Sequence, residues 1–272
     1  MNKSIRQRLR RLASRQNPLV KELRRAFLRG ETTPDGCCAI ESVRLVEEAV
    51  RSGLRFRAVF LRQSSLALAD RLLPQIAAQV EGVLLPNEVF DSVVATETAQ
   101  GVAALAKVRS VALDDVLRPY QPLVVVLSGI QDPGNLGTIL RSAEAFGANG
   151  VLLCEGTVSQ FNSKAVRASA GSVFRVPVVA VKVDEAIPRL RQAGLRLVAT
   201  SSHGGTPADQ ANLASPLAFF IGNEGSGLPR ELMSQMDDTV IVPHPGQVES
   251  LNAAVAASIL LYEAARQRKA GI

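Results

Sequence analysis

Histidine and cysteine are scarce in this chain of 272 residues, with two of the first, His203 and His244, and three of the second. Cys37, Cys38 and Cys154 are odd in number and show no C-x-x-C spacing, so neither a disulfide framework nor a zinc site is supported. Two histidines are too few for a usual metal cage, and no metal is expected. No apolar run reaches the length of a membrane span, and no h-region with a small-residue cleavage site follows the N-terminus. A soluble chain in a reducing, cytoplasmic setting, without membrane partners, is the expectation. Several catalytic signatures are missing as well. G-x-G-x-x-G does not follow the first strand of the second half, and no acidic residue ends a second strand to hold a ribose. There is no G-x-x-x-x-G-K-[ST] loop, no G-x-S-x-G elbow and no nucleophile partner for either histidine.

Apolar residues make up 47% of the chain, enough for a sizeable core, and the length allows one large domain or two ordinary ones. The net charge of +6 is unevenly placed. Met1–Arg29 holds ten basic residues and one acid, Glu22, for a local charge of +9, and the remainder carries −3. Such a segment suits contact with phosphates, and Arg6, Arg8, Arg10, Arg11 and Lys21 are the candidate RNA contacts. An Arg-rich, acid-poor start also resembles an organelle transit peptide. Against that, Asn17-Pro18-Leu19-Val20-Lys21 reads as a capped helix start, and Leu19, Leu23, Ala26 and Phe27 form an apolar stripe.

The pattern divides the chain into a basic arm and helix (1–30), an α/β domain (31–109), a linker (110–122) and a second α/β domain (123–272). Within the first domain, strands are expected at Cys38–Ile40, Arg57–Leu61, Gly82–Leu85 and Gly101–Lys107. Helices are expected at Ser42–Arg51, Ser65–Gln79 and Asn87–Val94. Leu123–Leu127 is an unbroken apolar run of the kind found in central parallel strands. Five more strands are expected at Gly150–Cys154, Val176–Val179, Arg196–Thr200, Leu217–Ile221 and Thr239–Val242, with helices between most of them. A parallel sheet covered on both faces follows, with its ligand at the carboxyl ends of the strands.

Three polar clusters fall at such ends. The first is Asp132-Pro133-Gly134-Asn135-Leu136-Gly137, opening a helix on which Ile139, Leu140, Ala143 and Phe146 share a face and Arg141 points the other way. The second is Gly222-Asn223-Glu224-Gly225-Ser226-Gly227, where glycines let backbone N–H groups approach a ligand. The third runs from Pro243-His244-Pro245-Gly246 to Ser250-Leu251-Asn252, where a helix opens and continues to about Arg268. Leu251, Val255, Ile259 and Tyr262 recur along that helix at helical spacing, with alanines and serine between them. Small residues nearly all round predict a central helix approached closely on more than one side.

Together these clusters resemble the motifs of the SpoU–TrmH family of RNA ribose 2′-O-methyltransferases, within the SPOUT superfamily. Asp132–Gly137 through Arg141 and Phe146-Gly147 is similar to that family's first motif, Ile221–Leu228 to its second, and Val242–Gly246 through Asn252 to its third. Lys164–Gly171 and Val176-Pro177-Val178 resemble its middle segment. The N-terminal part, with Asn17–Lys21 and Ala39-Ile40-Glu41-Ser42, resembles the family's substrate-binding domain, which is similar to ribosomal proteins that bind kink-turn RNA. His244 stands where the family often has Met, and Ser42 where Gly is common.

The resemblance implies an α/β fold with a deep trefoil knot in the C-terminal parallel-sheet domain, and homodimers with the site at the subunit interface. It implies S-adenosylmethionine held around Gly222, Val242 and Leu251 with Thr200 nearby, and a bulky side chain at Gly222 is expected to fill that space. Arg141 resembles the catalytic arginine, and Asn135, Glu224, Ser250 and Asn252 would orient the ribose and Arg141. The expected activity is methyl transfer to a ribose 2′-hydroxyl of RNA, rRNA in preference to tRNA. The competing expectation is an RNA-binding or ribosome assembly factor that keeps the fold without turnover.

Overall fold

Two separate sheets organise the chain. The computed structural model describes residues 5, 7–94, 96, 99–246 and 248–270. The described residues up to 110, together with 161–174, form one unit; residues 111–160 and 175–270 form the other. The strands are β1 (Leu9–Arg11), β2 (Cys37–Glu41), β3 (Arg55–Arg62), β4 (Glu81–Leu85), β5 (Val102–Lys107), β6 (Leu123–Leu127), β7 (Gly150–Leu153), β8 (Val178–Ala180), β9 (Arg196–Ser201), β10 (Thr206–Pro207), β11 (Leu217–Ile221) and β12 (Asp238–Ile241). The helices are α1 (Pro18–Arg29), α2 (Val43–Arg51), α3 (Leu68–Leu72), α4 (Asn87–Asp91), α5 (Leu113–Leu117), α6 (Pro133–Ala145), α7 (Ser163–Ala168), α8 (Val183–Gln192), α9 (Arg230–Met233) and α10 (Ala253–Ala270).

The first unit is a mixed five-stranded sheet in the order β1-β4-β3-β5-β2. Asn17 caps α1 by accepting from the Leu19 N–H at 3.0 Å, and Pro18 sits at the first helical position, where a missing N–H costs nothing. Val20, Leu23, Ala26 and Phe27 are buried and pack with Ala58, Phe60, Val83, Phe90 and Leu105. Ser42 caps α2 through the Leu45 N–H at a φ of 92°, a backbone region that favours glycine.

The basic start is folded where it is described. Leu9–Arg11 pairs in parallel with Gly82–Leu84 as an edge strand. The expected helix Ser65–Gln79 is broken into Leu68–Leu72 flanked by 3₁₀ turns at Gln63–Ser65 and Leu73–Gln75. Pro74 explains the break, since it lacks an N–H and disfavours helical geometry at the residue before it. Arg8 takes the carbonyls thus exposed, donating to Leu73 O at 2.7 Å, Ile76 O at 3.3 Å and Ala77 O at 2.9 Å.

The second unit is a parallel sheet of seven strands, β10-β12-β9-β11-β6-β7-β8. Every residue of β6 and β11 is buried, which requires cover on both faces. On one face Val124, Val126, Leu152, Leu197 and Phe220 pack with Ala186, Ile187 and Leu190 of α8 and Val116 of α5. Two expectations about boundaries differ from this arrangement. The stretch 110–122, read as a linker, contains α5, because Val116 is an apolar anchor packed beside Gly150. Residues 161–174, read as part of the second domain, belong to the first unit. There the Gly30 cap of α1, at a φ of 61°, would place a Cβ 3.0 Å from the Asn162 Cα, so only glycine permits the approach. Among the described residues no helix is long and apolar enough to cross a membrane, and no cluster of three His, Cys, Asp or Glu could hold a metal.

All three cysteines are free and buried. Burial, followed by the neighbouring Cys37, pushes the Cys38 thiol up to about 12, and burial, followed by Glu155, does the same at Cys154 to about 12. Burial also raises Cys37. The native protein is therefore expected to show no rapid reaction with a disulfide reagent at mildly alkaline pH, because the nucleophile is the thiolate. All three thiols should react once the chain is unfolded in guanidinium, as counted by absorbance.

Candidate active site

The second unit gathers its polar loops at the carboxyl ends of β6, β11 and β12. Asp132 caps α6, accepting from the N–H groups of Gly134 and Asn135, and Pro133 occupies the first helical position. This sets Asn135 in the first turn. Its side-chain NH₂ donates to Glu224 at 2.9 Å, and its carbonyl accepts from the Asn252 side chain at 3.0 Å. Asn252 in turn caps α10, accepting from the N–H groups of Ala254 at 2.9 Å and Val255 at 3.3 Å. Three residues from three distant stretches thus form one hydrogen-bonded chain. Burial pushes the Glu224 carboxyl up, but the Asn135 bond and backbone donors at Glu224, Asp132 and Gln131 outweigh it and hold the carboxyl below its usual range.

The β11–α9 loop folds back on itself. Asn223 and Gly227 exchange backbone hydrogen bonds at 3.1 and 2.9 Å. The Asn223 side chain accepts from Gly225 and Ser226 N–H and donates to Gly129 O at 2.8 Å, tying this loop to the one after β6. A Cβ on residue 222 would overlap the Gly227 carbonyl and the Leu228 nitrogen. The expectation that a side chain at Gly222 would fill a ligand space is therefore corrected. The side-chain direction there points into the loop's own backbone, and glycine is needed to close the turn.

Beside this loop lies a pocket lined by Thr200, Gly222, Glu224, Val242, Ser250 and Leu251. All four residues expected to hold a cofactor are among them. The Thr200 hydroxyl donates to Phe220 O at 3.0 Å. Ala253, Ala256 and Leu260, one face of α10, complete a wall. Their i, i+3, i+7 spacing was readable in the sequence, yet a different stripe stood out. Val255, Ile259 and Tyr262, which recur at helical spacing on a helix expected to be central, are 47, 38 and 55% exposed. Alanine suits every side of a helix equally, so composition could not say which side is covered. The helix also starts at Ala253 with Asn252 as its cap, so Ser250 stays in the loop. A third side of α10 packs in parallel on α6, through Ser142 and Ser258 hydroxyls 2.7 Å apart and an edge-to-face contact of Phe146 with Tyr262.

Arg141 is exposed and does not line the pocket of its own chain. In the first unit Arg10 pairs with Glu81 at 3.2 Å, Arg8 is held by the carbonyls already described, and Arg11 and Lys21 are exposed. Arg6 lies outside the described residues. At the pocket mouth the two ring nitrogens of His244 face the carbonyls of Val242 at 3.0 Å and Val248 at 3.1 Å. The Val242 carbonyl first, and then that of Val248, raise its pKa, because only the imidazolium can donate to both.

This arrangement is a known one. A model of the SpoU rRNA Methylase family matches residues 122–262, more than half of the chain. The chain belongs to the SpoU rRNA Methylase family. Residues 17–104 match a second model, the MRM3-like substrate binding domain. Among SpoU relatives, the 23S rRNA (guanosine(2553)-2′-O)-methyltransferase RlmP of Bacillus subtilis is 32% identical over 93% of this chain and 98% of its own. The AdoMet-bound rRNA methyltransferase from Sinorhizobium meliloti superposes with a TM-score of 0.80 at 29% identity, over 95% of this chain and 98% of that one. The SpoU methyltransferase AviRb from Streptomyces viridochromogenes, in complex with AdoMet, gives 0.81 at 28% identity, over 94% of this chain and 100% of that one.

Two measurements check the local geometry. Gly222→Ala should open the Asn223–Gly227 turn and destabilise the protein by about 1–3 kcal/mol, the usual cost of overpacking, read as a lower denaturation midpoint. His244 should titrate above its ordinary value of 6.5 in a proton NMR titration. A raised folded pKa means that its contribution to holding the Val242 and Val248 carbonyls is complete below the unfolded value and lost as pH rises through the folded one. Exchange of the loop amides, corrected for intrinsic rates, should accelerate across that window, and His244→Met should remove the effect.

Proposed function

We propose that this chain methylates a ribose 2′-hydroxyl of RNA, rRNA in preference to tRNA, with S-adenosylmethionine as donor, in the cytoplasm. The observation that carries this reading is the Glu224–Asn135–Asn252 chain set beside a pocket in a SpoU family protein. The pocket suits the donor. It combines hydroxyls of Ser201, Ser202 and Ser250 with apolar walls from Ile221, Val240 and Leu260, and Glu224 and Glu249 supply the charge that suits a sulfonium. Thr200, Gly222, Val242 and Leu251 would hold it, and it supplies a methyl group already activated by the positive sulfur.

The residues must then make a poor nucleophile reactive. A ribose hydroxyl attacks only as its proton leaves, so positioning and charge stabilisation are the protein's task. Asn135, fixed at both ends by Glu224 and Asn252, orients the ribose, with Ser250 beside it. An arginine stays protonated, so Arg141 is not the base. Its guanidinium grips the neighbouring phosphate and stabilises the developing oxyanion, while that phosphate or a water accepts the proton.

The reading includes a homodimer with composite sites. It is supported by an Arg141 that is exposed and does not line the pocket of its own chain, and by the exposed apolar stripe of Val255, Ile259 and Tyr262. The deep trefoil knot is part of the same reading. Strand order supports it, since the segment after β12 must return past β9 and β11 to bring Asn252 to Asn135.

Incubation with tritiated S-adenosylmethionine and unmodified rRNA should yield a nuclease-resistant, 2′-O-methylated dinucleotide. RNA binding without incorporation would support the assembly-factor reading instead. Arg141→Ala and Ala256→Trp homodimers should each be inactive. Co-expressed subunits form about half heterodimers, each with one complete site of two, so activity should return to about a quarter of wild type. Activity near zero, with heterodimers confirmed by mass, would sink the composite site.

A further inference from the structure

A cleft in the first unit has no part in the methyl-transfer site. It runs along α1, whose Lys21, Arg25 and Arg29 line one wall, and the turn around Thr32 and Pro34 lines the other. Lys21, Arg25 and Arg29 are exposed, and among the described residues no ion pair engages them. Four residues of helix separate each from the next, so they repeat about every 6 Å along one stripe. A row of cations at that spacing can follow successive phosphates of a strand. Arg24 and Leu28 lie on α1 outside this cleft, so the row is a selected side of the helix rather than general surface charge.

Three acids, Glu22, Glu31 and Asp35, line the cleft with Lys21, Arg25, Arg29 and Arg57, a net charge of +1, and their state decides whether a phosphate is tolerated. Arg57 donates to Glu22 at 2.6 Å and to Asp35 at 2.5 Å through one nitrogen. Both carboxylates are thus held in ion pairs beneath the cation row. Exposed pairs of this kind add little stability. Their effect here is on the local field: Arg57 offsets one of the two negative charges it binds, and the positive balance of the cleft comes from Lys21, Arg25 and Arg29.

We infer that this cleft binds a single-stranded segment of the substrate RNA, with its backbone on Lys21, Arg25 and Arg29 and with Arg57 masking Glu22 and Asp35. This rests on the reading of the chain as an RNA-modifying enzyme. It shifts the main RNA contact from the first strand, where Arg8 and Arg10 are already engaged, to the exposed stripe of α1.

The test uses the full chain and a fluorescein-labelled oligouridylate, with affinity measured by anisotropy across a series of KCl concentrations. Replacing Lys21, Arg25 and Arg29 together by Gln should weaken binding about tenfold or more. It should also reduce the slope of log affinity against log salt by about two, as expected for three lost contacts with a single strand. Arg25→Gln alone should reduce the slope by about 0.7, whereas Arg24→Gln, outside the cleft, should leave it unchanged. Arg57→Gln should weaken binding by exposing the two acids, and adding Glu22→Gln and Asp35→Asn should restore it. An unchanged slope in the triple variant, an equal effect of Arg24→Gln, or no loss with Arg57→Gln would each overturn the inference. Wild-type protein that does not bind the oligouridylate would overturn it too, while the enzymatic reading on which it rests fails separately, on absent methyl incorporation into rRNA. Calorimetry with S-adenosylmethionine separates the two, since the cofactor pocket involves none of the four altered cations.

Discussion

The side-chain amide of Asn135 is the joint on which the second unit's site depends. Glu224 can only accept, so the NH₂ of Asn135 must face it, and the carbonyl is left to accept from Asn252. That polarity leaves Asn252 its own carbonyl oxygen for capping α10. One amide therefore couples the start of α6, the loop after β11 and the start of the last helix. The coupling crosses the sheet, because β12 is separated from β6 by β9 and β11. The chain after β12 must travel back over two strands to satisfy it.

The last helix shows how a nearly featureless sequence can serve four surroundings. Ala253, Ala256 and Leu260 border the pocket, Ser258 and Tyr262 meet α6, Ala254, Ala257 and Leu261 are buried, and Val255 and Ile259 remain exposed. Small side chains let backbone come close on several sides at once. They also leave the choice of side to the partners rather than to the helix itself. A loss of volume specificity in the helix is thus matched by strict geometry at its cap.

Charge is divided by the same logic. Basic residues near the N-terminus carry the same charge, yet Arg8 closes a broken helix end, Arg10 pairs with Glu81, and Lys21, Arg25 and Arg29 stay open along one cleft. Position relative to exposed carbonyls and carboxylates separates structural cations from available ones. Burial acts similarly on the thiols, which are lifted out of the reactive range with no chemical role assigned to them.

Local patterns alone were enough for the strands β6 and β11, because unbroken apolar runs have few other places to go. They also located the loops that carry Asn135, Glu224 and Asn252, since polar and glycine-rich stretches at strand ends have no packing purpose. The Asn17 cap and the buried stripe of α1 were readable for the same short-range reason. Other features required the fold. Pro74 broke a helix whose remaining pattern looked continuous, and Gly222 proved to be pressed against its own loop rather than open to a ligand. Residues 161–174 joined the first unit through contacts with residues more than a hundred positions away. The exposed side of α10 and the engaged state of Arg8 were equally hidden. Each depends on which distant backbone comes to meet a side chain, and sequence spacing carries no record of that meeting.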